Sequence, residues 1–125
     1  MTTTSPADVM ETLFERVWNH GELAQIEQIF AKPDSARQFI SAFRAAFPDL
    51  HHTIEESIVD GARIVVRWRA AGTHRSPWEG RAAIGRVVTF SGITIALVEQ
   101  GQIARHHTEW DRAGLMEQLG GGQSA

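Results

Sequence analysis

Residues 105–111 read RHHTEWD. Within seven positions stand two imidazoles, a hydroxyl, two carboxylates and an indole, groups that move protons or hold carbonyl oxygens. A second histidine pair, His51-His52, lies upstream, followed by Glu56. An imidazole titrates near neutral pH, so His52 and His106 are candidate general acids or bases. Glu56 can orient such an imidazole, or act itself if apolar walls raise its pKa. Asp111 stands immediately before an apolar helical segment, where accepting backbone N–H groups is its expected work.

Several other chemistries are excluded or unsupported. The chain has no cysteine and no tyrosine. Disulfides, thiolate metal sites, cysteine nucleophiles and phenolic acids are therefore ruled out. His52, His106 and Glu56 are the residues from which a metal site would be drawn, yet no HxH or HExxH spacing supports one. In a strand each adjacent histidine pair splits between the two faces, so neither pair can chelate one ion. No metal and no cofactor is expected. The GxSxG, Walker and dinucleotide fingerprints are missing.

The elements that must position these groups follow from patterning. The 125 residues carry 15 acidic and 12 basic side chains, a net charge of −3, with 42% hydrophobic residues. That is one domain, 1–125, with one core. No Lys/Arg-rich run marks a nucleic-acid partner. No apolar run reaches the roughly 20 residues of a membrane span, and the polar start does not read as a signal peptide. A cytoplasmic location is expected, consistent with the missing cysteine.

Ser5, Pro6 and Asp8 read as a helix start, and Val9, Leu13, Phe14 and Val17 recur at helical spacing up to Gly21. Leu23, Ile26, Ile29 and Phe30 predict a short second helix. A third is capped by Asp34 or Ser35, carries Phe39, Ile40, Phe43 and Phe47 on one face, and stops at Pro48. Residues 51–59 and 62–73 flank Asp60-Gly61 as a hairpin, and 86–99 and 102–110 flank Gln100-Gly101 as another. A long loop spans 74–85. Leu115, Met116 and Leu119 predict a short last helix. Residues 1–5 and 121–125 are expected to be disordered. Helices first and a meander after imply an α+β fold.

FPDL (47–50), GTH (72–74), FSGI (90–93), GQI (101–103) and GLMEQLG (114–120), with the helical VWNHGELAQIEQIF, resemble SnoaL-like proteins of the nuclear-transport-factor-2-like superfamily. The resemblance covers roughly 9–120. It implies a cone-shaped barrel: a strongly curved antiparallel sheet, three N-terminal helices and a short C-terminal helix enclosing a pocket. Such proteins commonly pair as homodimers through the outer sheet face. The family includes polyketide cyclases that close rings by aldol condensation. Between its second and third helices this chain passes directly through IFAKPDSARQF, where typical members have a further strand and loop. A first strand/loop segment is thus expected to be deleted.

The family's cyclase aspartate falls on Thr108, and its pocket glutamine and histidine on Thr94 and Ala96. The same register places Ala104, His106, Thr108 and Trp110 on the inner face of the last strand, with His107 and Glu109 outside. Parity puts Ile64, Val66 and Trp68 inward, opposite Arg63, Arg67 and Arg69. Inward Ile54 and Ile58 take His52 and Glu56 with them. His74 is expected to fix the loop.

The expected function is therefore a small-molecule enzyme performing cofactor-free acid/base chemistry, a cyclisation or isomerisation, on a hydrophobic carbonyl compound. His106 would be the acid/base, Glu56 or His52 its partner, and Thr94 or Thr108 the carbonyl's hydrogen-bond donor. Trp68, Phe90 and Trp110 would wall the substrate. The alternative is a non-catalytic ligand-binding or dimerisation module of the same fold.

Overall fold

The computed structural model describes residues 4–120. The expectation of disorder at 1–3 and 121–125 lies outside the described residues. Ser5 is placed: its hydroxyl accepts the Asp8 N–H at 3.1 Å and caps α1 (Pro6–Glu11). The helix continues as a π-helical stretch over Thr12–Asn19, a widened form frequent at functional sites. A 3₁₀ turn, Leu23–Gln25, leads into α2 (Ile26–Ile29). Phe30 bridges Ile103, and four residues, 30–33, separate α2 from α3 (Asp34–Ala46). Neither Asp34 nor Ser35 caps α3. Pro33 occupies that position without a side-chain bond, and Asp34 pairs with Arg37 instead.

Four strands follow: β1 (His51–Asp60), β2 (Arg63–Thr73), β3 (Val87–Glu99) and β4 (Gln102–Trp110). They pair antiparallel in sequence order. The β3–β4 turn places Gln100 and Gly101 at φ 54° and 76°, the geometry of a two-residue type I′ hairpin. α4 (Arg112–Gln118) begins at Asp111, whose carboxylate accepts the Gly114 N–H at 2.9 Å.

The core lies between the inner sheet face and the helices. Ile64, Val66, Trp68 and Ala70 alternate inward on β2. They meet Val9, Leu13, Phe14 and Val17 from the first helix and Ile40 and Phe43 from α3. The 74–86 loop is pinned at both ends. His74, fully buried, stacks on Phe47 with ring centroids 5.2 Å apart, and its backbone bonds both Arg86 and Gly85. Trp78 packs on Phe43, Phe47 and Trp110, while Arg112 reaches Glu79. His74 thus fixes the loop, as expected.

Candidate active site

Between the helices and the sheet lies a cavity of about 290 Å³, close to the lower end for small-molecule sites. Its sheet wall carries His52, Trp68, Phe90, Thr94, Thr108 and Trp110, and His106 joins them. These come from all four strands because register aligns them. Thr94 lies opposite Thr108, Ala96 opposite His106, and Gly92 opposite both Trp68 and Trp110. His107 and Glu109 point outward, where Nε2 and Oε2 meet at 2.6 Å in solvent.

Glu56 is a correction. The β1–β2 register shifts between Ile54 and Glu56, so Glu55 is an extra residue in the strand. Beyond this bulge the parity reverses. Glu56 sits opposite Arg67 on the outer face, and Ile58 opposite Val65, with Ile58 58% exposed. The physical reason is charge. Arg67 reaches Glu55 at 3.0 Å and Glu56 at 3.5 Å, and Arg69 reaches Glu55 at 3.5 Å. A lone carboxylate in the apolar interior would lose hydration with no cation to replace it. A second bulge shifts the register between Leu97 and Val98, leaving Ala104 unpaired and turning Ile103 inward, where it is 2% exposed and lines the cavity.

His52 is buried in a box of aromatic rings. Its ring centroid lies 4.8 Å from Trp18, 5.0 Å from Trp68 and 5.4 Å from Phe14. Burial, with lesser contributions from the positive charges of His51 and Arg44, pushes its pKa down to about 3. The ring is neutral at physiological pH, and its Nδ1 has no hydrogen-bond partner among the described residues. The backbone of His52 is held by the Asn19 amide, which accepts its N–H at 2.6 Å and donates to its carbonyl at 2.9 Å. This clamp occupies the edge of β1 away from β2, its one neighbouring strand among the described residues.

His106 lines the cavity, its ring 5.5 Å from Phe30 in an edge contact. Its solvent-exposed position differs sharply from that of His52. Desolvation by its surroundings, then repulsion from His107, lowers its pKa below the ordinary histidine value. Lowering favours the neutral imidazole, the form able to accept a proton.

Polar groups inside are few. Trp68 Nε1 donates to Thr94 Oγ1 at 3.1 Å, and Thr94 Oγ1 lies 2.8 Å from Thr108 Oγ1. No three His, Cys, Asp or Glu side chains converge to hold a metal among the described residues.

The helical half of the wall was missed by sequence reasoning. Phe14, Trp18, Phe30, Phe39 and Phe43 line the cavity, and Phe43 contacts Phe90 and Trp110 across it. Periodicity marks Phe14, Phe39 and Phe43 as core-facing but not as bordering empty space. The available signal for Trp18 was its i,i+4 spacing from Phe14.

A family model described as SnoaL-like polyketide cyclase matches residues 8–119. Comparison with curated proteins gives no match. Among solved structures, TsrD from Streptomyces laurentii superposes with a TM-score of 0.83 at 26% identity, covering 96% of this chain and 98% of that one. A candidate polyketide cyclase from Acidithiobacillus ferrooxidans gives 0.83 at 23% identity, with 100% of both chains covered. AclR from Streptomyces galilaeus, a candidate hydroxylase, gives 0.82 at 18% identity, covering 94% and 98%. The fold is that of these proteins.

Proposed function

The chain belongs to the SnoaL-like polyketide cyclase family, and on that premise we propose that it is a small-molecule enzyme acting by cofactor-free acid/base chemistry on a hydrophobic carbonyl compound. The reaction is a cyclisation of the aldol type or an isomerisation. Both begin with removal of a proton next to a carbonyl. The observation that carries this reading is His106, an exposed imidazole that lines an aromatic cavity and is held toward its neutral form. A base there meets the substrate's polar end while the rings of Trp68, Phe90 and Trp110 hold its apolar body.

His106 takes the role of the proton acceptor. His52 serves as wall and neutral hydrogen-bonding group, since its pKa of about 3 makes it a poor proton carrier near neutrality. Glu56 takes no part, because it is paired with Arg67 outside. The test is turnover of a panel of aryl and polyketide-like ketones by the wild type and by His106→Ala and His106→Gln. A large loss of kcat in both variants is expected. Equal turnover would remove His106 as the base.

A second reading is favoured by Thr94, Ala96 and Thr108 at the family's cyclase positions: a non-catalytic module that binds the same class of ligand. Tight binding without turnover across the panel would establish it in place of the first.

The partner we propose under either reading is a second copy, paired through the outer sheet face. Ile58, Ile93 and Ile95 are exposed there beside the Arg67–Glu55–Glu56 cluster. No helix among the described residues is long and apolar enough to cross a membrane.

A further inference from the structure

We propose that Trp68, Thr94 and Thr108 form a one-way hydrogen-bond relay that makes Thr108 the donor to a neutral carbonyl oxygen of the bound ligand, with Trp68 as its positioning residue. This rests on the reading of the cavity as a ligand site.

The direction follows from donor bookkeeping. An indole Nε1–H can only donate. Thr94 Oγ1 therefore accepts from Trp68 at 3.1 Å. Thr94 is 5% exposed, and its hydroxyl has one further partner among the hydrogen bonds of the described residues, Thr108 Oγ1 at 2.8 Å. A buried hydroxyl that leaves its proton unmatched loses the full cost of desolvating it. Thr94 is the more buried of the two hydroxyls, so we assign the donor of the 2.8 Å bond to Thr94 and the acceptor to Thr108. Thr108 Oγ1 then accepts, and its own proton is left for something in the cavity that it lines. Successive hydrogen bonds polarise one another, so the terminal O–H is a stronger donor than an isolated threonine's.

The geometry is built by a glycine. Trp68 lies opposite Gly92 on β3, and a Cβ at Gly92 would stand 2.6 Å from Trp68 Cζ2. Only a missing side chain lets the indole lie across β3 with its N–H on Thr94, two residues along. Thr94 in turn lies directly opposite Thr108 across the β3–β4 ladder. Three strands thus each contribute one member.

The chemistry of the partner follows. A terminal donor selects an acceptor oxygen. Among the described residues the cavity lining contains no Lys or Arg to neutralise a carboxylate. An unpaired charge there would be desolvated without compensation, so a ketone or quinone oxygen fits and an acid does not. The same donor would stabilise the enolate oxygen that forms when a proton is removed beside the carbonyl.

The experiment uses two bicyclic probes that differ in one oxygen, 1-tetralone and tetralin. Affinities are measured by calorimetry, and the carbonyl stretching frequency of bound 1-tetralone by difference infrared spectroscopy. The wild type is expected to prefer 1-tetralone about tenfold, with a lowered carbonyl frequency. Thr108→Val abolishes both effects, so that it binds 1-tetralone no better than tetralin, and Thr108→Ser restores them. Trp68→Phe keeps an aromatic side chain, smaller than the indole, and removes the N–H. It is expected to shift the carbonyl frequency part of the way back and to reduce the preference by a few-fold. Binding of both probes with the same preference and frequency in Thr108→Val overturns the relay while leaving the cavity as a ligand site. Failure of the folded wild type to bind either probe overturns the cavity reading and the relay with it.

Discussion

The Asp49 carboxylate holds Thr73 twice, taking its backbone N–H at Oδ1 and its hydroxyl at Oδ2, each at 2.7 Å. This joins the α3–β1 connection to the end of β2. It also turns two separate sequence motifs, FPDL and GTH, into one clamp at the start of the 74–86 loop. The backbone bond from Thr73, ahead of the hydroxyl bond, holds the Asp49 carboxyl below its ordinary pKa.

Asp49→Asn keeps the shape but loses the charge and one acceptor oxygen. A destabilisation of about 1 kcal/mol is expected in chemical denaturation. The folded pKa is depressed, so the charge-dependent part of the clamp is present above the unfolded carboxylate value near 3.9. It is lost as pH falls through the folded value. Unfolding midpoints of wild type and variant should therefore converge toward the acid end. A constant gap down to pH 2.5 would contradict the charged clamp.

The buried His52 predicts a second acid effect at higher pH. Its folded pKa of about 3 lies below its unfolded value of 6.5. The unfolded chain binds a proton that the folded chain refuses. Stability is therefore full above about pH 6.5 and falls by about 1.4 kcal/mol per pH unit on the way down toward 3. Burial lowers His74 and His106 as well, which adds to the slope in the same direction. His52→Leu should flatten the dependence between pH 6.5 and 4.5. Identical slopes in variant and wild type would show that this imidazole is not what resists protonation.

Gly92 admits no side chain. A Cβ would stand 2.6 Å from Trp68 Cζ2, 2.7 Å from Trp110 Cβ and 2.8 Å from the Glu109 carbonyl. Gly92→Ala is expected to cost about 1–3 kcal/mol, as overpacking does, and to shift tryptophan emission as the two indoles move. Unaltered stability and emission would mean that the two strands part without cost.

Asp111 caps α4 through the Gly114 N–H. Asp111→Ala should cost about 1 kcal/mol by thermal or chemical unfolding. Gly114→Ala should cost at least as much, because its methyl group would press on that same carboxylate. An Asp111→Ala variant as stable as the wild type would deny the cap any energetic role.

The outer sheet face gives a prediction in solution. Ile93 and Ile95 are 43% and 45% exposed on β3, beside Ile58 on β1. If a second copy covers them, sedimentation will show a concentration-dependent dimer, and Ile95→Glu will yield a monomer. A wild type that is monomeric at all concentrations rejects this pairing.

Much of the fold was legible because the rules that set it are local. Helical spacing placed the residues of α1–α3 that face the core. Gly61 and Gly101 mark the two tight turns, since such turns need backbone conformations that few residues adopt. β1 runs through Asp60, which pairs with Arg63, so the first turn is Gly61-Ala62 and not Asp60-Gly61. Strand alternation is covalent geometry, so once the family resemblance fixed the inner side of β3 and β4, Thr94, Thr108 and Trp110 could be assigned to the same face as Trp68. The same rule separated His106 from His107.

Tertiary structure decided what alternation cannot. One inserted residue, Glu55, reversed the parity of β1 and carried Glu56 out to Arg67. Whether a strand bulges depends on the balance between ion pairs and desolvation across two strands, which no local pattern records. The aromatic box around His52 and the cavity's helical wall depend on how α1 and α3 lie over the sheet. The direction of the Trp68–Thr94–Thr108 chain likewise needs three strands in register. The sequence determined which side chains could share a face. Only packing decided which of them meet, which stay hydrated, and which proton is left for a ligand.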